Sequence, residues 1–424
     1  MNTQFFRDLE NCFSFWGKPQ EACKLVEDNL NSIDFDDDDD MRKLIEILER
    51  ALLYQGNDGT DQPEEAIRLL EFLISKGFDI NFKMGKKECL ILGLAERAVE
   101  PEVFQKVVDL GADVYSETTS GNNVLTRSAK AEFKSLFKKD LEISERLPLY
   151  IVENFDLSSL DHPDGYGITP LMYAVIKNKP NLVDSLLKHG ADVNATGGQF
   201  AGGCSYWMKM YGVSPLALAF RDANVEIAKK LLDAGADETI CDAEGTPALF
   251  SLVYHSFDYK DKSVPQTIEI DNRKSQLVPL LKNLDCADSN GNTLLMKSMV
   301  FYDYSWDKKT SPFDNKALMS MLIQCGANVN AANNAGKRPL HFAAESWGDI
   351  IKELLKAGAE IDAQDNEGNT ALIIVCMEGR EKEARLLIRK GADVNIKNKK
   401  GKSAADIAAE KGLAAYNVCE KERT

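Results

Sequence analysis

One short phrase returns nine times along this chain and limits what the chain can fold into. Each copy begins with a glycine and a Thr-Pro-Leu-like start, continues through two amphipathic stretches and closes on Gly-Ala-Asp-Val-Asn or a variant, as at residues 190–194 and 391–395. Successive copies are 32 to 46 residues apart, which is a basic period near 33 with about 12 extra residues in four units. A period of this size is typical of stacked helix pairs in repeat arrays.

Each end of the phrase has a local structural role. Thr169, Ser214 and Thr370 precede the first helix of their units, where a side-chain oxygen can accept a hydrogen bond from a free backbone N–H. At the other end, a glycine follows the second helix, where a left-handed residue lets the chain turn away. These glycines are Gly190, Gly326, Gly358 and Gly391. The phrase therefore predicts where each helix pair begins and ends.

The pattern resembles the ankyrin repeat family over residues 77–415. The resemblance implies an all-α fold, an ankyrin-type α-solenoid of stacked helix-loop-helix repeats with projecting hairpin loops. In that family the hairpin tips and the exposed end of each first helix usually form the binding face, and most members bind proteins without catalysis. It also implies that His341, which follows Pro339 and Leu340, bonds neighbouring loops.

The array has two flanking regions and several interruptions. Residues 1–76 are predicted to form an N-terminal helical cap and a divergent repeat, about nine repeats fill 77–415, and 416–424 form a polar tail. Such polar ends suit the terminal units of a repeat stack. Insertions are predicted near 131–153, 196–211, 259–275 and 301–314.

Charge and composition narrow the classes of partner. Asp and Glu number 67 against 51 Lys and Arg, so the formal charge is −16, and no basic stripe is present to follow a phosphate backbone. Nucleic-acid binding is therefore disfavoured. A basic protein partner is a natural match, because complementary potentials speed encounter. The alternative is that the charge only keeps the chain soluble.

The sequence favours a cytoplasmic location. No apolar stretch approaches the eighteen or so residues of a membrane span, and the first ten residues do not resemble a signal peptide. Nine scattered cysteines, among them Cys89 and Cys376, show no metal-ligand spacing and suit reduced core thiols. We expect no membrane contact and, because the ends are capped, a monomer.

Three features resemble chemical sites but favour structural interpretations. The acidic run 34–40 lacks the glycine and distal glutamate of a calcium loop, and it precedes the helix at Met41, so we interpret it as a solvated helix cap. The sequence Gly401-Lys402-Ser403 lacks the rest of a phosphate loop and falls at a helix start. The four histidines are far apart. We therefore expect no cofactor, no metal and no catalytic residues.

Aromatic insertions are the strongest candidates for partner binding. Large aromatic anchors on polar loops are typical of interfaces, where a few residues carry most of the affinity. The alternative, which the sequence leaves open, is that these loops fold back over the repeat below. The candidates are Phe200, Tyr206, Trp207, Met210, Tyr211, Tyr254, Tyr302, Tyr304, Trp306 and Trp347.

The family resemblance adds candidates from the regular repeats. It implies that Tyr166, Ile168, Asn366 and Glu367 lie at exposed hairpin tips and that Met377 lies at the end of a first helix. Tyr166 and Ile168 are apolar where a merely soluble tip would be polar, which supports a binding surface.

Together these observations predict a non-enzymatic scaffold that binds a protein partner through its concave face and its hairpin and insertion loops. The runner-up is an acidic inhibitor or immunity-type protein that neutralises a toxin or another enzyme. An enzyme using the repeats as a scaffold would need an added domain, and no 100-residue segment lacks the repeat pattern.

Overall fold

The structure is a computed structural model, and it describes ten stretches of the chain. These are residues 3–14, 17–53, 62–83, 89–131, 139–156, 160–197, 212–253, 264–299, 316–346 and 348–412. By their internal contacts they belong to two compact units, Met1–Gly203 and Cys204–Thr424.

The first unit is a stack of helix pairs in two layers. Within each layer, every helix packs on the corresponding helix of the next pair. The first layer consists of α1 (Thr3–Cys12), α3 (Asp38–Leu53), α5 (Leu90–Glu96), α7 (Val124–Lys130) and α9 (Pro170–Ile176), and the second of α2 (Ala22–Asp28), α4 (Gln62–Ser75), α6 (Pro101–Asp109), α8 (Lys139–Asn154) and α10 (Pro180–Lys188). The N-terminal residues thus form two pairs of the same kind.

The second unit also has two layers of helices. Its first layer consists of α11 (Pro215–Arg221), a 3₁₀ turn (Ala248–Leu252), α14 (Leu294–Ser298), α16 (Pro339–Ser346), α18 (Ala371–Met377) and α20 (Ala404–Glu410), and its second of α12 (Val225–Asp233), α13 (Val264–Ser275), α15 (Lys316–Gln324), α17 (Gly348–Lys356) and α19 (Glu381–Arg389). Among the described residues the only β-structure is three isolated bridges. The predicted all-α class of stacked helix-loop-helix repeats is confirmed.

The core runs through the first layer. In nine repeats a leucine or alanine lies just after the start of the first helix, and each of these residues is at most 2% exposed. The nine positions are Leu90, Leu125, Leu171, Leu216, Leu249, Leu295, Leu340, Leu372 and Ala405. Burial of these side chains is the main stabilising contribution of each repeat.

Side-chain caps confirm the predicted helix starts. Thr169, Ser214 and Thr370 each accept a hydrogen bond from the backbone N–H three residues later, at 3.3 Å. Ser403 does the same for Asp406, whose carboxylate accepts the Ser403 N–H at 2.9 Å in return. The glycine-lysine-serine sequence is thus a helix start with a capping box.

The acidic run before Met41 also caps a helix. Asp37 Oδ1 accepts the N–H groups of Asp39 and Asp40, at 3.0 and 2.9 Å. Asp40 departs from the predicted solvated cap, since it is only 5% exposed, and its carboxylate lies 3.8 Å from Lys43 Nζ.

Two of the predicted insertions include a helix of the repeat itself. The helix α8 occupies most of 131–153 and packs against α7 and α10, while α13 occupies part of 259–275 and packs on α15. Pro148 lies inside α8, and an internal proline normally argues against a helix. In an uninterrupted helix the Ser144 carbonyl would accept a hydrogen bond from the backbone N–H of residue 148, which proline lacks. Here it accepts one from Lys179 Nζ instead, at 3.2 Å.

Candidate protein interface

Six of the described hairpins between repeats share one turn, which fixes the loop backbone from within. Its first residue, here named the turn residue, is an Asp or Asn whose Oδ1 accepts the backbone N–H groups two and four residues later, at 2.8 to 3.1 Å. The turn residues are Asp164, Asp242, Asp288, Asn333, Asp365 and Asn398. The tips they hold are ordered before any partner arrives, which lowers the entropy lost on binding.

Neighbouring tips are joined by backbone hydrogen bonds. In the second unit, the N–H of Asn334 donates to Asn290, that of Asn366 to Ala335 and that of Lys399 to Glu367, at 2.9 to 3.0 Å. In the first unit, the N–H of Gly165 donates to the carbonyl of Ser120. The described tips of the second unit from 288 to 402 therefore form one hydrogen-bonded row.

The end of the closing phrase links successive repeats at the base of the hairpins. There an Asn or Asp side chain accepts the backbone N–H of the next repeat's closing phrase, at 2.7 to 2.9 Å. The accepting residues are Asn81, Asp161, Asp285, Asn330 and Asp362. We call this the linking position. Glu238, one residue earlier in its phrase, accepts the N–H of Asn283 at 3.0 Å in the same way.

Four of the predicted site residues lie on the surface of these hairpins and helix ends. Tyr166 and Met377 are each 39% exposed, and Asn366 and Glu367 are also exposed. Asn366 has a structural role as well, because its side-chain amide donates to the carbonyl of Asn334 at 2.9 Å. The other exposed side chains of this set are Tyr166 in the first unit and Glu367 and Met377 in the second.

The expectation that Ile168 is exposed is wrong. The residue is 8% exposed, its N–H donates to Asp164 Oδ1 at 3.0 Å, and its carbonyl accepts from the Asp164 N–H at 3.0 Å. Lys402 makes the same two bonds to Asn398 and is exposed, so these bonds fix the backbone of the fifth residue of the turn, and it is the apolar side chain of Ile168 that is buried.

The remaining predicted site residues lie outside the described residues, and their role stays a prediction. They are Phe200, Tyr206, Trp207, Met210, Tyr211, Tyr254, Tyr302, Tyr304, Trp306 and Trp347.

Two surface features were not predicted from the sequence. Tyr115, at the linking position of its repeat, is 57% exposed, the largest fraction among the large apolar side chains that the structure describes. A tyrosine at a position where the phrase has asparagine was the available signal. The second feature is basic: exposed lysines occupy the hairpin that follows α19, and they are Lys397, Lys399, Lys400 and Lys402.

His341 serves the stack, as the family resemblance implied. Its Nδ1 accepts the N–H of Arg338 at 3.0 Å, so Nε2 carries the proton and faces the carbonyl oxygens of Ala363 and Asn369, each at 3.1 Å. Burial lowers the pKa of this imidazole, against the raising effect of nearby Asp365. This geometry favours a neutral, structural histidine.

A second buried titratable group lies in α13. Burial lowers the pKa of Lys274 to about 7, although Asp271 and Asp222 raise it. Asp271 also accepts the N–H of Ala317 at 3.0 Å, which ties α13 to the start of α15. Among the described residues, no three His, Cys, Asp or Glu side chains are grouped as metal ligands would be.

Two of the cysteines singled out in the sequence lie among the described residues. Cys89 and Cys376 are buried, as predicted for core positions. None of the helices that the structure describes is long and apolar enough to cross a bilayer.

Comparison with known proteins agrees with the repeat geometry. A family model described as ankyrin repeats, in three copies, matches residues 138–243 and 345–420. This chain contains ankyrin repeats. The match includes α8 and the hairpins at 164 and 365, and ankyrin repeats act as scaffolds for protein interactions.

The proteins with sequences similar to this chain include palmitoyltransferases and a viral ankyrin repeat protein. The chain is 27% identical over 259 residues to a putative palmitoyltransferase of Danio rerio, and 28% identical over 204 residues to a putative ankyrin repeat protein of fowlpox virus. These alignments cover 61% and 48% of this chain, and 34% and 89% of the relatives. A palmitoyltransferase of Lachancea kluyveri is 26% identical over 227 residues, which are 53% of this chain and 26% of that protein. The chain thus spans about a third or less of either palmitoyltransferase.

Among solved structures, the ankyrin repeat domain of Bcl-3 matches 60% of this chain and 99% of that domain. Its sequence identity is 20% and the TM-score is 0.46.

Proposed function

We propose that this ankyrin repeat protein is a non-enzymatic scaffold that binds one protein partner through its hairpin tips, its insertion loops and the concave face that the family resemblance implies. The observation that carries the proposal is the hydrogen-bonded row of tips, because it presents exposed side chains on a backbone that is already ordered. Glu367 is an exposed contact in this row, Met377 is exposed at the end of α18, and Tyr166 is exposed on a tip of the first unit.

Charge supports a partner with a basic contact surface. The chain carries −16, and complementary potentials raise association rates. The lysine-rich hairpin at 397–402 would meet a different, acidic part of the same partner. We further propose a cytoplasmic monomer, since the described cysteines are free thiols and such thiols suit a reducing compartment.

The test begins with capture of a partner by the tagged chain, followed by calorimetry on the purified complex. Tyr166→Ser and Glu367→Lys should each weaken affinity by about tenfold, as expected for hot-spot positions. Glu153→Lys is the matched control, because Glu153 is exposed on α8, away from the tips. If both tip variants bind as tightly as the unmodified chain, the tips are not the interface.

The insertion loops need a separate variant. Trp207→Ser combined with Trp306→Ser should weaken the same complex by at least tenfold while the thermal unfolding curve stays unchanged. A fall in unfolding temperature with unchanged affinity would assign these tryptophans to packing on the repeats instead.

An inhibitor or immunity-type function is the second candidate, and the acidic charge is what favours it. An inhibitor steered by charge should lose association rate steeply as salt rises from about 0.05 to 0.3 M, because the Debye length shortens. An association rate that barely changes would favour the scaffold with apolar contacts.

A further inference from the structure

Tyr115 occupies a linking position that other repeats use for structure. Five Asn or Asp residues there accept the N–H of the next repeat at 2.7 to 2.9 Å, within the reach of a short side chain. A tyrosine hydroxyl stands at the far end of a ring and cannot occupy the place of Oδ1. At this position the repeat has an exposed aromatic ring in place of a short acceptor side chain.

The ring is presented on a fixed turn. The Tyr115 N–H donates to Asp113 Oδ1 at 3.0 Å, the Ser116 N–H donates to the Asp113 carbonyl at 3.1 Å, and the Ser116 hydroxyl lies 3.1 Å from Asp113 Oδ2. Ser116 is 2% exposed, whereas Tyr115 is 57% exposed. The backbone is anchored on both sides of a side chain that faces solvent.

The ring is flanked by acidic side chains on its own turn, while the preceding repeat has the exposed Lys83 at the position that matches Glu117. Asp113 and Glu117 are both exposed, and Glu117 reaches the next hairpin, where its carboxylate lies 3.4 Å from His162 Nε2. No Lys or Arg occurs in 111–126 or in 160–176, the two segments joined by the bond between Gly165 and Ser120. The ring face is thus available to a cation, and no basic residue of these two segments competes for it.

We propose that Tyr115, flanked by Asp113 and Glu117, binds an arginine or lysine side chain on an extended segment of the protein partner. The cation stacks on the tyrosine ring while the two carboxylates receive its N–H groups. This inference rests on the proposed scaffold function and assigns the basic contact of the partner to this hairpin.

The decisive variant is Tyr115→Asn, because asparagine is the residue that Asn81 and Asn330 show at the linking position. It should leave the unfolding midpoint unchanged or raise it, and it should remove binding. Tyr115→Phe keeps the ring face and should bind as the unmodified chain does. A merely structural role for Tyr115 would give the opposite pattern, with lower stability in Tyr115→Asn.

The probes are fluorescein-labelled nonapeptide pools with arginine, citrulline or glutamate fixed at the central position, measured by fluorescence polarisation on the full chain. The arginine pool should bind about tenfold more tightly than the citrulline pool, and Tyr115→Asn should abolish that difference. Equal binding of the arginine and citrulline pools, or unchanged binding by Tyr115→Asn, overturns the proposal.

The captured partner separates this inference from the scaffold function. If Tyr166→Ser and Glu367→Lys weaken the complex and Tyr115→Asn does not, the inference fails and the scaffold function stands. If none of them weakens it, both fail. Sedimentation of the unmodified chain is a further check. If its mass rises with concentration and Tyr115→Asn abolishes that rise, the Tyr115 surface binds the lysine hairpin of a second copy, and the proposal is also overturned.

Discussion

Lys179 gives the sharpest test of how one repeat holds the next. It is 1% exposed, and its Nζ lies within hydrogen-bond distance of four carbonyl oxygens. Three of them, Ser128, Ala129 and Ala131, are at the end of α7, at 2.9 to 3.2 Å, and the fourth is Ser144 in α8, at 3.2 Å. A helix end leaves carbonyls without partners, and Pro148 leaves one more. One amine therefore satisfies the backbone of two helices.

The substitution Lys179→Met keeps the length of the side chain and removes these hydrogen bonds. Each buried carbonyl left without a donor costs about 1 to 3 kcal/mol. Part of this loss is offset, because the variant has no lysine amine to bury. The net loss of unfolding free energy should be about 3 to 5 kcal/mol, as when one partner of a buried charged contact is removed.

Urea unfolding followed by far-UV circular dichroism measures this loss. Lys188→Met is the matched control, because Lys188 is exposed at the end of α10, and it should change the free energy by less than about 0.5 kcal/mol. Hydrogen exchange should rise most in α7 and α8, where the carbonyls lose their donor.

A double-mutant cycle isolates the Ser144 bond. Pro148→Ala restores an amide that can donate to the Ser144 carbonyl, and it should stabilise the Lys179→Met background by about 1 kcal/mol more than it stabilises the unmodified chain. Equal gains in both backgrounds, or a Lys179→Met variant as stable as Lys188→Met, would refute the reasoning.

Three further predictions follow from the hairpins and caps. Asp365→Ala should lower the unfolding free energy by about 2 to 3 kcal/mol, since the N–H groups of Glu367 and Asn369 lose their acceptor, and Asp233→Ala is an exposed comparison for the same denaturation assay. Ser403→Ala should cost about 1 kcal/mol through loss of the capping box, with helix content measured by circular dichroism. Burial lowers the pKa of His341, so below about pH 6.5 the unfolded chain binds a proton that the folded chain does not. The free energy of unfolding should therefore fall more between pH 7.5 and 5.5 in the unmodified chain than in His341→Gln. Equal slopes for the two proteins would contradict this.

Much of the fold could be predicted because its signals are local. A cap at Thr370 and a left-handed residue at Gly391 depend only on residues within a few positions, and both were confirmed. The helix α8 escaped prediction because Pro148 argues against a helix unless a donor from another repeat replaces the missing one. That donor, Lys179, lies 35 residues from Ser144.

The candidate interface could be predicted only in part. Tyr166, Glu367 and Met377 were placed on the surface by their positions in the repeat, and they are exposed. Ile168, the fifth residue of its turn, is buried, whereas Lys402 is exposed although it makes the same two bonds to Asn398. Position in the turn alone therefore does not reveal whether this side chain is exposed.

The sequence by itself determined the all-α class, the repeat period and the starts of the capped helices, since helix caps and turn residues act on their own backbone. Tertiary structure decided the rest. The exposure of Tyr115 and the role of Lys179 depend on contacts between residues in different repeats, such as the 48-residue separation between Lys179 and Ala131. Which side chain stays exposed, and which carbonyl lacks a donor, is determined only when neighbouring repeats pack together.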